Sequence, residues 1–106
     1  MSAADPVGPV FAALADPTRR HVLQTALREG SVTVPQLTAE LPMSRQAVAK
    51  HVDALRDAGL LAREGEGRRL AYRPEPEALR AATAWLQRTE REWDTRLGRL
   101  KTSVES

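Results

Sequence analysis

The 106-residue chain has no cysteine, so it can form no disulfide, no zinc–thiolate site and no thiol nucleophile. Its aromatic residues are few, so leucine, valine and alanine must provide most of the core. It contains no apolar run near the roughly 20 residues that cross a bilayer, and its N-terminus has no basic segment followed by an apolar one. The length suits one domain of a size that a partner subunit often helps to stabilise. We expect a soluble, cytoplasmic protein.

The groupings of residues that catalysis and metal binding require are also missing. No paired carboxylates and no Ser–His arrangement have local support, and no helix with a phosphate-binding lysine follows Gly65-Glu66-Gly67. The two histidines, His21 and His51, stand far apart in the sequence. We interpret His51 as a structural or phosphate-contacting residue rather than as a metal ligand or pH switch, and we assign His21 no chemistry. The sequence therefore predicts no enzyme, no cofactor and no metal.

The positive charge is concentrated in one segment. The chain has a formal charge of only +2, but residues 45–73 contain seven Arg or Lys against four acids. By contrast, residues 1–44 contain three against four, and residues 74–106 contain six against six. Such a concentration is typical of a nucleic-acid-binding segment, although an ordinary basic surface is the alternative.

Capping residues divide the first part of the chain into short helices. Val10, Phe11 and Leu14 indicate one or two helical turns. Asp16-Pro17 begins a second helix that Gly30 ends. The apolar stripe of this second helix consists of Val22, Leu23, Ala26 and Leu27. Thr33 and Gln36 have the spacing of a capping box, which predicts a third helix from Val34 to Glu40 with Leu37 and Leu41 inward.

The next helix, from Ser44 to about Gly59, has an unusual outer face. Val48, Val52 and Leu55 form a normal buried stripe. The opposite face consists of small and hydrogen-bonding residues, namely Ser44, Arg45, Gln46, Ala49, Lys50 and Asp53. A slim face of this kind lets a helix enter a major groove roughly 12 Å wide. Together with the short helix before it, this segment has the helix-turn-helix pattern.

After Gly59 the hydrophobic period changes from that of a helix to that of a strand. Residues 61–64 and 68–73 flank Gly65-Glu66-Gly67 and predict a β-hairpin. Arg68 and Arg69 are then either an ordinary basic turn or DNA contacts. A long helix should follow from about Glu77 to about Lys101, with a seam at seven-residue intervals made of Leu79, Leu86, Trp93 and Leu100 and extended by Leu97 and Val104. Trp85 and Trp93 either pack in the core or between subunits, or line a ligand pocket.

With these elements in order, the sequence resembles the ArsR/SmtB-type winged-helix repressors of bacteria. The matching segments are ALADPTRRHVL (13–23), SRQAVAKHVDALRDAGLL (44–61), GRRLAYR (67–73) and the last helix with its two tryptophans. The Cys-x-Cys motif of the metal-sensing members would lie near Leu37 to Leu41, which here reads LTAEL. The chain is therefore similar to the subgroup without cysteine ligands.

The resemblance implies a mainly α fold of about five helices with a small β-hairpin wing, a winged helix-turn-helix that pairs as a homodimer through its first and last helices. We expect a tail over residues 1–8, the domain over 9–101 and a second tail over 102–106. The expected function is that of a sequence-specific transcriptional regulator that represses by occupying an inverted-repeat operator. The alternative is a winged helix that docks an acidic protein partner.

Two groups of residues are assigned roles on this interpretation. The predicted partners are double-stranded DNA and a second copy of the chain, with no membrane and no identified effector. The residues predicted to contact DNA are Ser44, Arg45, Gln46, Ala49, Lys50, His51, Arg68 and Arg69. The residues predicted to form the dimer are Val10, Phe11, Leu14, Leu79, Leu86, Trp93, Leu97 and Leu100.

Overall fold

Five helices and one antiparallel hairpin make up the part of the chain that the structure describes. A computed structural model describes the backbone of residues 5–105 and the side chains of residues 5–101. In chain order the elements are α1 (Gly8–Leu14), α2 (Pro17–Glu29), α3 (Val34–Glu40), α4 (Arg45–Asp57), β1 (Leu61–Glu64), β2 (Ala71–Pro74) and α5 (Pro76–Glu105). The expected winged helix-turn-helix fold is confirmed. Among the described residues, no helix is apolar over enough of its length to span a bilayer.

Local capping interactions determine where the first helices begin and end. Asp16, Thr33 and Ser44 each accept a hydrogen bond from the backbone N–H three residues later, at 3.0–3.1 Å. The side chain of Gln36 accepts in return from the backbone N–H of Thr33, which completes the predicted capping box. Gly30 ends α2 with a φ of 89°, in the left-handed region where a residue with a Cβ is strained.

The hairpin, which we call the wing, has a longer turn than the sequence predicts. β1 pairs with β2 from Leu61 opposite Pro74 to Glu64 opposite Ala71. Residues Gly67–Arg69 form a 3₁₀ turn instead of starting the second strand. A Cβ on Gly65, whose φ is 80°, would overlap the carbonyl oxygen of Arg69. The close return of the chain at this point therefore requires glycine.

The wing is attached to the helical body by one further pair of residues. The N–H and C=O groups of Val32 and Tyr72 exchange two hydrogen bonds, at 2.8 and 2.9 Å. Both side chains are buried, so the loop before α3 and the second strand share the same core. The remaining buried apolar residues come from every helix and from the start of β1, and are Val10, Ala13, Val22, Leu23, Ala26, Leu37, Val48, Val52, Leu55, Leu60, Leu61 and Ala82.

Two sequence predictions about burial are wrong. Leu27 was assigned to the inner stripe of α2 but is 53% exposed, because the stripe narrows to residues 22–26 before the helix ends. Val10 was assigned to a dimer contact but has no exposed surface in the protomer. It packs with the chain's own core, so its apolar side chain is already buried without a partner.

The last helix extends far beyond the core. Ala78, Leu79 and Ala82 pack against the core, whereas every side chain from Glu90 to Lys101 is exposed. The helical backbone continues to Glu105, past the end expected near residue 101 and into the segment expected to be a tail. Residues 1–4 of the predicted N-terminal tail, residue 106 and the side chains beyond 101 lie outside the described part. The molecule measures 67 × 31 × 25 Å, an elongation that reflects this helix.

Candidate nucleic-acid interface

The fourth helix is held by one buried stripe and exposes the face that the sequence singled out. This stripe consists of Val48, Val52 and Leu55, which have no exposed surface. The first turn after the Ser44 cap exposes Arg45 and Gln46 to solvent. Because the stripe is well packed, the orientation of this exposed face is determined by the core.

A groove of about 870 Å³ separates α4 from the wing. Arg45, Gln46 and Ala49 line it from α4, and Arg68 lines it from the turn of the wing. Two guanidinium groups from segments more than twenty residues apart therefore border the same concave surface. Half of the residues predicted to contact DNA are brought together here.

The other four predicted DNA contacts lie outside this groove. Ser44 caps α4, and its hydroxyl oxygen accepts from the N–H of Ala47 at 3.1 Å, which leaves its own hydrogen free to donate. Lys50 is exposed on the outer surface of α4, and Arg69 is exposed in the turn of the wing. The side chain of His51 lies against α2.

The sequence prediction that His51 contacts DNA does not agree with its hydrogen bonds. The Nδ1 atom of His51 accepts a hydrogen bond from Nε of Arg19 at 3.2 Å, and it lies 3.8 Å from Oδ2 of Asp16. Only 20% of the imidazole side chain is exposed. His51 therefore connects α4 to the start of α2 on the protein side of the helix, and we withdraw it from the DNA-contacting set.

Asp16 combines this connection with its role as the cap of α2. The N–H of Arg19 donates to its carboxylate, and this hydrogen bond is the main reason that the pKa of Asp16 lies below its usual value. The nearby His51 adds a smaller effect in the same direction, and partial burial opposes both. Asp16 is therefore ionised at neutral pH, as its two contacts require.

Sequence reasoning missed the third wall of the groove. Besides the four predicted residues, the lining consists of Thr33, Val34, Pro35, Gly67, Leu70 and Tyr72. The capping box at Thr33 indicated the start of a helix but not that this start faces the wing. The wall forms because residue 32 pairs with residue 72, a contact between segments 40 residues apart.

The acidic residues of α4 limit the surface that DNA can approach. Asp53 and Asp57 are exposed in the second half of the helix, on the same outer side as Gln46 and Lys50. Carboxylates there repel phosphate groups. Their charge favours the first two turns of α4 over its second half as a surface for a duplex.

The two tryptophans occupy different environments. Trp85 packs edge-to-face on Phe11 of α1, with ring centroids 5.6 Å apart and an interplanar angle of 70°. Trp93 is 61% exposed and borders an open depression on α5, and Trp85 is not among the residues that line this depression. Within the described residues, no group of three His, Asp or Glu side chains is placed to hold a metal ion.

Comparisons with known proteins agree with this fold. A family model described as a helix-turn-helix domain matches residues 14–64. The HTH-type transcriptional regulator Rv2034 of Mycobacterium tuberculosis is 38% identical over 76 residues, which cover 72% of this chain and 70% of the relative. The arsenic resistance transcriptional regulator ArsR1 of Pseudomonas putida is 36% identical over 78 residues, which cover 74% of this chain but only 61% of that protein.

A solved structure extends the similarity to nearly the whole chain. The ArsR-like transcriptional regulator from Rhodococcus sp. RHA1 superposes with a TM-score of 0.86 at 39% identity, covering 95% of this chain and 92% of that chain. These relatives are regulators of transcription and not enzymes, which favours the DNA-binding interpretation over the protein-docking alternative. The chain belongs to the ArsR family of winged helix-turn-helix, DNA-binding transcriptional regulators.

Proposed function

We propose that the protein is a homodimeric repressor that occupies an inverted-repeat operator and reads it with α4 and the wing. The groove that brings Arg45, Gln46, Ala49 and Arg68 to one surface supports this proposal most directly. Repression then needs no chemistry, because a protein that covers an operator excludes other proteins from it. Such a regulator works in the cytoplasm, where bacterial DNA is.

Each residue of the interface has a role that its position suits. Arg45 and Gln46, in the first turn of α4, approach base edges, to which both side chains can bind in a bidentate manner. The small side chain of Ala49 lets the helix backbone come close to the duplex. The free hydroxyl hydrogen of Ser44 donates to a phosphate, and Lys50 meets the DNA backbone.

The wing supplies contacts of another kind. Arg68 and Arg69 lie in an exposed turn next to two glycines, where long cationic side chains can reach a minor groove or a flanking phosphate. These contacts hold the duplex without distinguishing bases strongly.

The exposed half of α5 supports a dimer. Leu86, Trp93, Leu97 and Leu100 follow one another at helical spacing and are each 51–61% exposed. Phe11 and Trp85 lie near the start of this row as a half-exposed aromatic pair. An apolar row of this length is stabilised when a second copy covers it, and a two-fold axis pairs the row with itself.

A two-fold dimer presents two reading surfaces in opposite directions. The operator is then an inverted repeat whose half-sites lie about one helical turn, roughly 34 Å, apart or slightly more. Leu14 and Leu79 are partly buried against the protomer core and contribute at the edge of this interface. Val10 is left out because it is fully buried.

Selection of bound sequences from a random duplex pool tests the proposal and returns the operator in the same experiment. We expect strong enrichment of one inverted repeat by the wild-type protein, and weaker enrichment with a relaxed base preference by the Arg45→Ala/Arg68→Ala double variant. A matched control, Arg56→Ala/Arg80→Ala, removes two exposed arginines that do not line the groove and should enrich the same repeat. Enrichment of an asymmetric single site, or of nothing, would contradict the proposal.

A further inference from the structure

Three side chains connect the back of α4 to the start of α2. Nε of Arg19 donates to Nδ1 of His51 at 3.2 Å, and Oδ2 of Asp16 lies 3.8 Å from the same nitrogen. That carboxylate oxygen also accepts from the backbone N–H of Arg19, at 3.0 Å, as the cap of α2. We call these three side chains the α2–α4 bridge.

The bridge lies on the opposite flank of α4 from the DNA groove. With 3.6 residues per turn, His51 lies about a third of a turn around the helix axis from Arg45 and nearly half a turn from Ala49, and both of these residues line the groove. His51 also lies between Val48 and Leu55 along the helix, beside the buried stripe. A change in the bridge therefore acts on the middle of the reading helix, without contact with DNA.

The present hydrogen bond requires one protonation state of His51. An imidazole nitrogen accepts a hydrogen bond only when it carries no proton, so Nδ1 can accept from Arg19 only in neutral His51. When the ring gains a second proton, Nδ1 becomes a donor, and a positive ring then faces the positive guanidinium. Oδ2 of Asp16, 3.8 Å away, can then accept from this nitrogen. Protonation thus exchanges an Arg19 contact for an Asp16 contact.

Other charged groups lie near the bridge. On α2 the charges facing His51 are Asp16 and Arg19. On α4 itself, Asp57 borders a shallow depression together with Arg19. From α1 the same depression is lined only by uncharged Pro9, Ala12 and Ala13. The single carboxylate beside the imidazole is already engaged as the cap of α2, so a protonated ring must compete for it.

Contrary to the sequence interpretation, which set a pH-dependent role for His51 aside, we infer that Arg19 and His51 are positioning residues for the reading helix. Acidification lowers the selectivity for operator DNA by protonating His51 and breaking the Arg19 contact. The inference rests on the proposed function, since it concerns how the same DNA-reading surface is held.

Binding measured at about pH 8 and about pH 6 tests the inference. The probes are the duplex recovered by selection and a scrambled duplex of the same composition. For the wild type, we expect affinity for the selected duplex to fall about fivefold on acidification, the effect of losing one hydrogen bond. Affinity for the scrambled duplex should not fall, because an added positive charge favours phosphate binding. The ratio of the two affinities therefore depends on the state of the bridge rather than on the net charge of the protein.

Two variants assign the effect to one histidine. In His51→Gln, the amide oxygen can accept from Arg19 but does not titrate, so the affinity ratio should stay constant with pH. His21→Gln is the matched control, since His21 is exposed and its side chain makes no hydrogen bond or ion pair within the described residues. It should keep the wild-type dependence. If His51→Gln keeps that dependence, or His21→Gln loses it, the inference is wrong.

A measurement without DNA keeps the inference testable even if a variant does not fold. On acidification of the wild-type protein, the Arg19 Nε–H resonance should shift with the same midpoint as the His51 ring. The guanidinium of Arg20 donates instead to the carbonyl oxygens of Leu14 and Ala15. The Nε–H resonance of Arg20 should therefore not shift with that midpoint. An Arg19 signal that ignores the His51 titration overturns the bridge. Failure of all proteins to bind any selected duplex would instead overturn the proposed function.

Discussion

Side chains on different flanks of α4 have different tasks. Arg45, Gln46 and Ala49 line the groove toward the wing. His51 faces α2, where it accepts from Arg19. The buried stripe between these flanks holds the helix, so a substitution on one flank need not disturb the other.

Replacing Arg45 by Ala should remove one base-reading contact. We expect a loss of about 1–3 kcal/mol of binding free energy and a relaxed preference at one base position in each half-site. Titrations with the selected duplex and its single-base variants measure both quantities. Arg56→Ala, an exposed arginine in the last turn of the same helix, should leave the preference unchanged. An unaltered preference in Arg45→Ala would show that this residue does not read bases.

Asp16 should stabilise the fold in two ways, as the hydrogen-bonding cap of α2 and through its negative charge. Because its pKa is lower in the folded chain, mainly through the N–H of Arg19, its contribution is present at neutral pH. This contribution is lost as the pH falls through the folded-state pKa, at pH below about 4. Urea unfolding from pH 7 to pH 3 should show Asp16→Ala less stable than wild type at pH 7, with the difference shrinking in acid.

The variant Asp16→Asn separates the two contributions. Asparagine also caps helices well, so this variant should keep most of the neutral-pH stability and lose part of the acid dependence. If Asp16→Ala and wild type respond to acid with equal slopes, the carboxylate does not have the assigned role.

At the scale of the elements, the proposed DNA interface consists of α4 and the wing. The turn of the wing carries two arginines on an exposed 3₁₀ segment, and only Arg68 also borders the groove. The wing is held to the body by the pairing of Val32 with Tyr72. Its cations therefore have a defined place beside α4, although their side chains are solvated.

Removing the cations of the wing should weaken binding without changing the sequence that is preferred. We expect Arg68→Ala and Arg69→Ala to lower the affinity for selected and scrambled duplexes alike, with the larger loss for Arg68. Each should reduce the slope of log affinity against log salt by about 1. Arg80→Ala, an exposed arginine on α5, is the control that should leave the slope unchanged. A changed base preference in the wing variants would mean that the two surfaces have exchanged roles.

At the scale of the whole molecule, the helix that makes the shape elongated also carries the exposed apolar row. The chain measures 67 Å along its longest axis because half of one helix extends beyond the core. That half contains the exposed side chains of Trp93, Leu97 and Leu100. A second copy would cover it and, by its symmetry, determine the spacing of the half-sites.

A dimer at micromolar concentration is the direct expectation for light scattering. Replacing Leu97 by Glu should yield a folded monomer that no longer prefers paired half-sites, because a charge in the apolar row opposes its burial. Leu27→Glu is a close control, since Leu27 is 53% exposed and Leu97 is 52% exposed, but Leu27 lies on α2 away from the row. A monomeric wild type, or equal effects of the two variants, would exclude this interface.

Zinc or cadmium at stoichiometric concentration should not release the protein from its operator. The chain offers no thiolate, and its two imidazoles lie on different helices. In the described part, no three His, Asp or Glu side chains are grouped so that they could hold a metal ion. Fluorescence anisotropy of a labelled operator duplex measures release. A fall in the anisotropy on adding either ion, reversed by a chelator, would contradict this prediction.

Much of the fold follows from interactions between residues that are close together in the sequence. The sequence alone determined these interactions. The caps at Asp16, Thr33 and Ser44 join residues three apart, and the left-handed end at Gly30 depends on one residue. The apolar row of α5 is likewise a periodicity along one helix. These signals predicted the helices, the reading face and the wing, although the turn of the wing was predicted too short.

Only the tertiary structure decided which distant segments meet. The groove has a third wall because residues 33–35 stand beside the wing, and Val10 is buried because α1 folds onto the core. His51 bonds Arg19, 32 residues earlier, rather than facing DNA. On the helical period, His51 lies at the edge of the buried stripe, where a side chain can turn either to solvent or to a neighbour. That choice depends on which helix packs against that edge, and no local pattern in the chain contains this information.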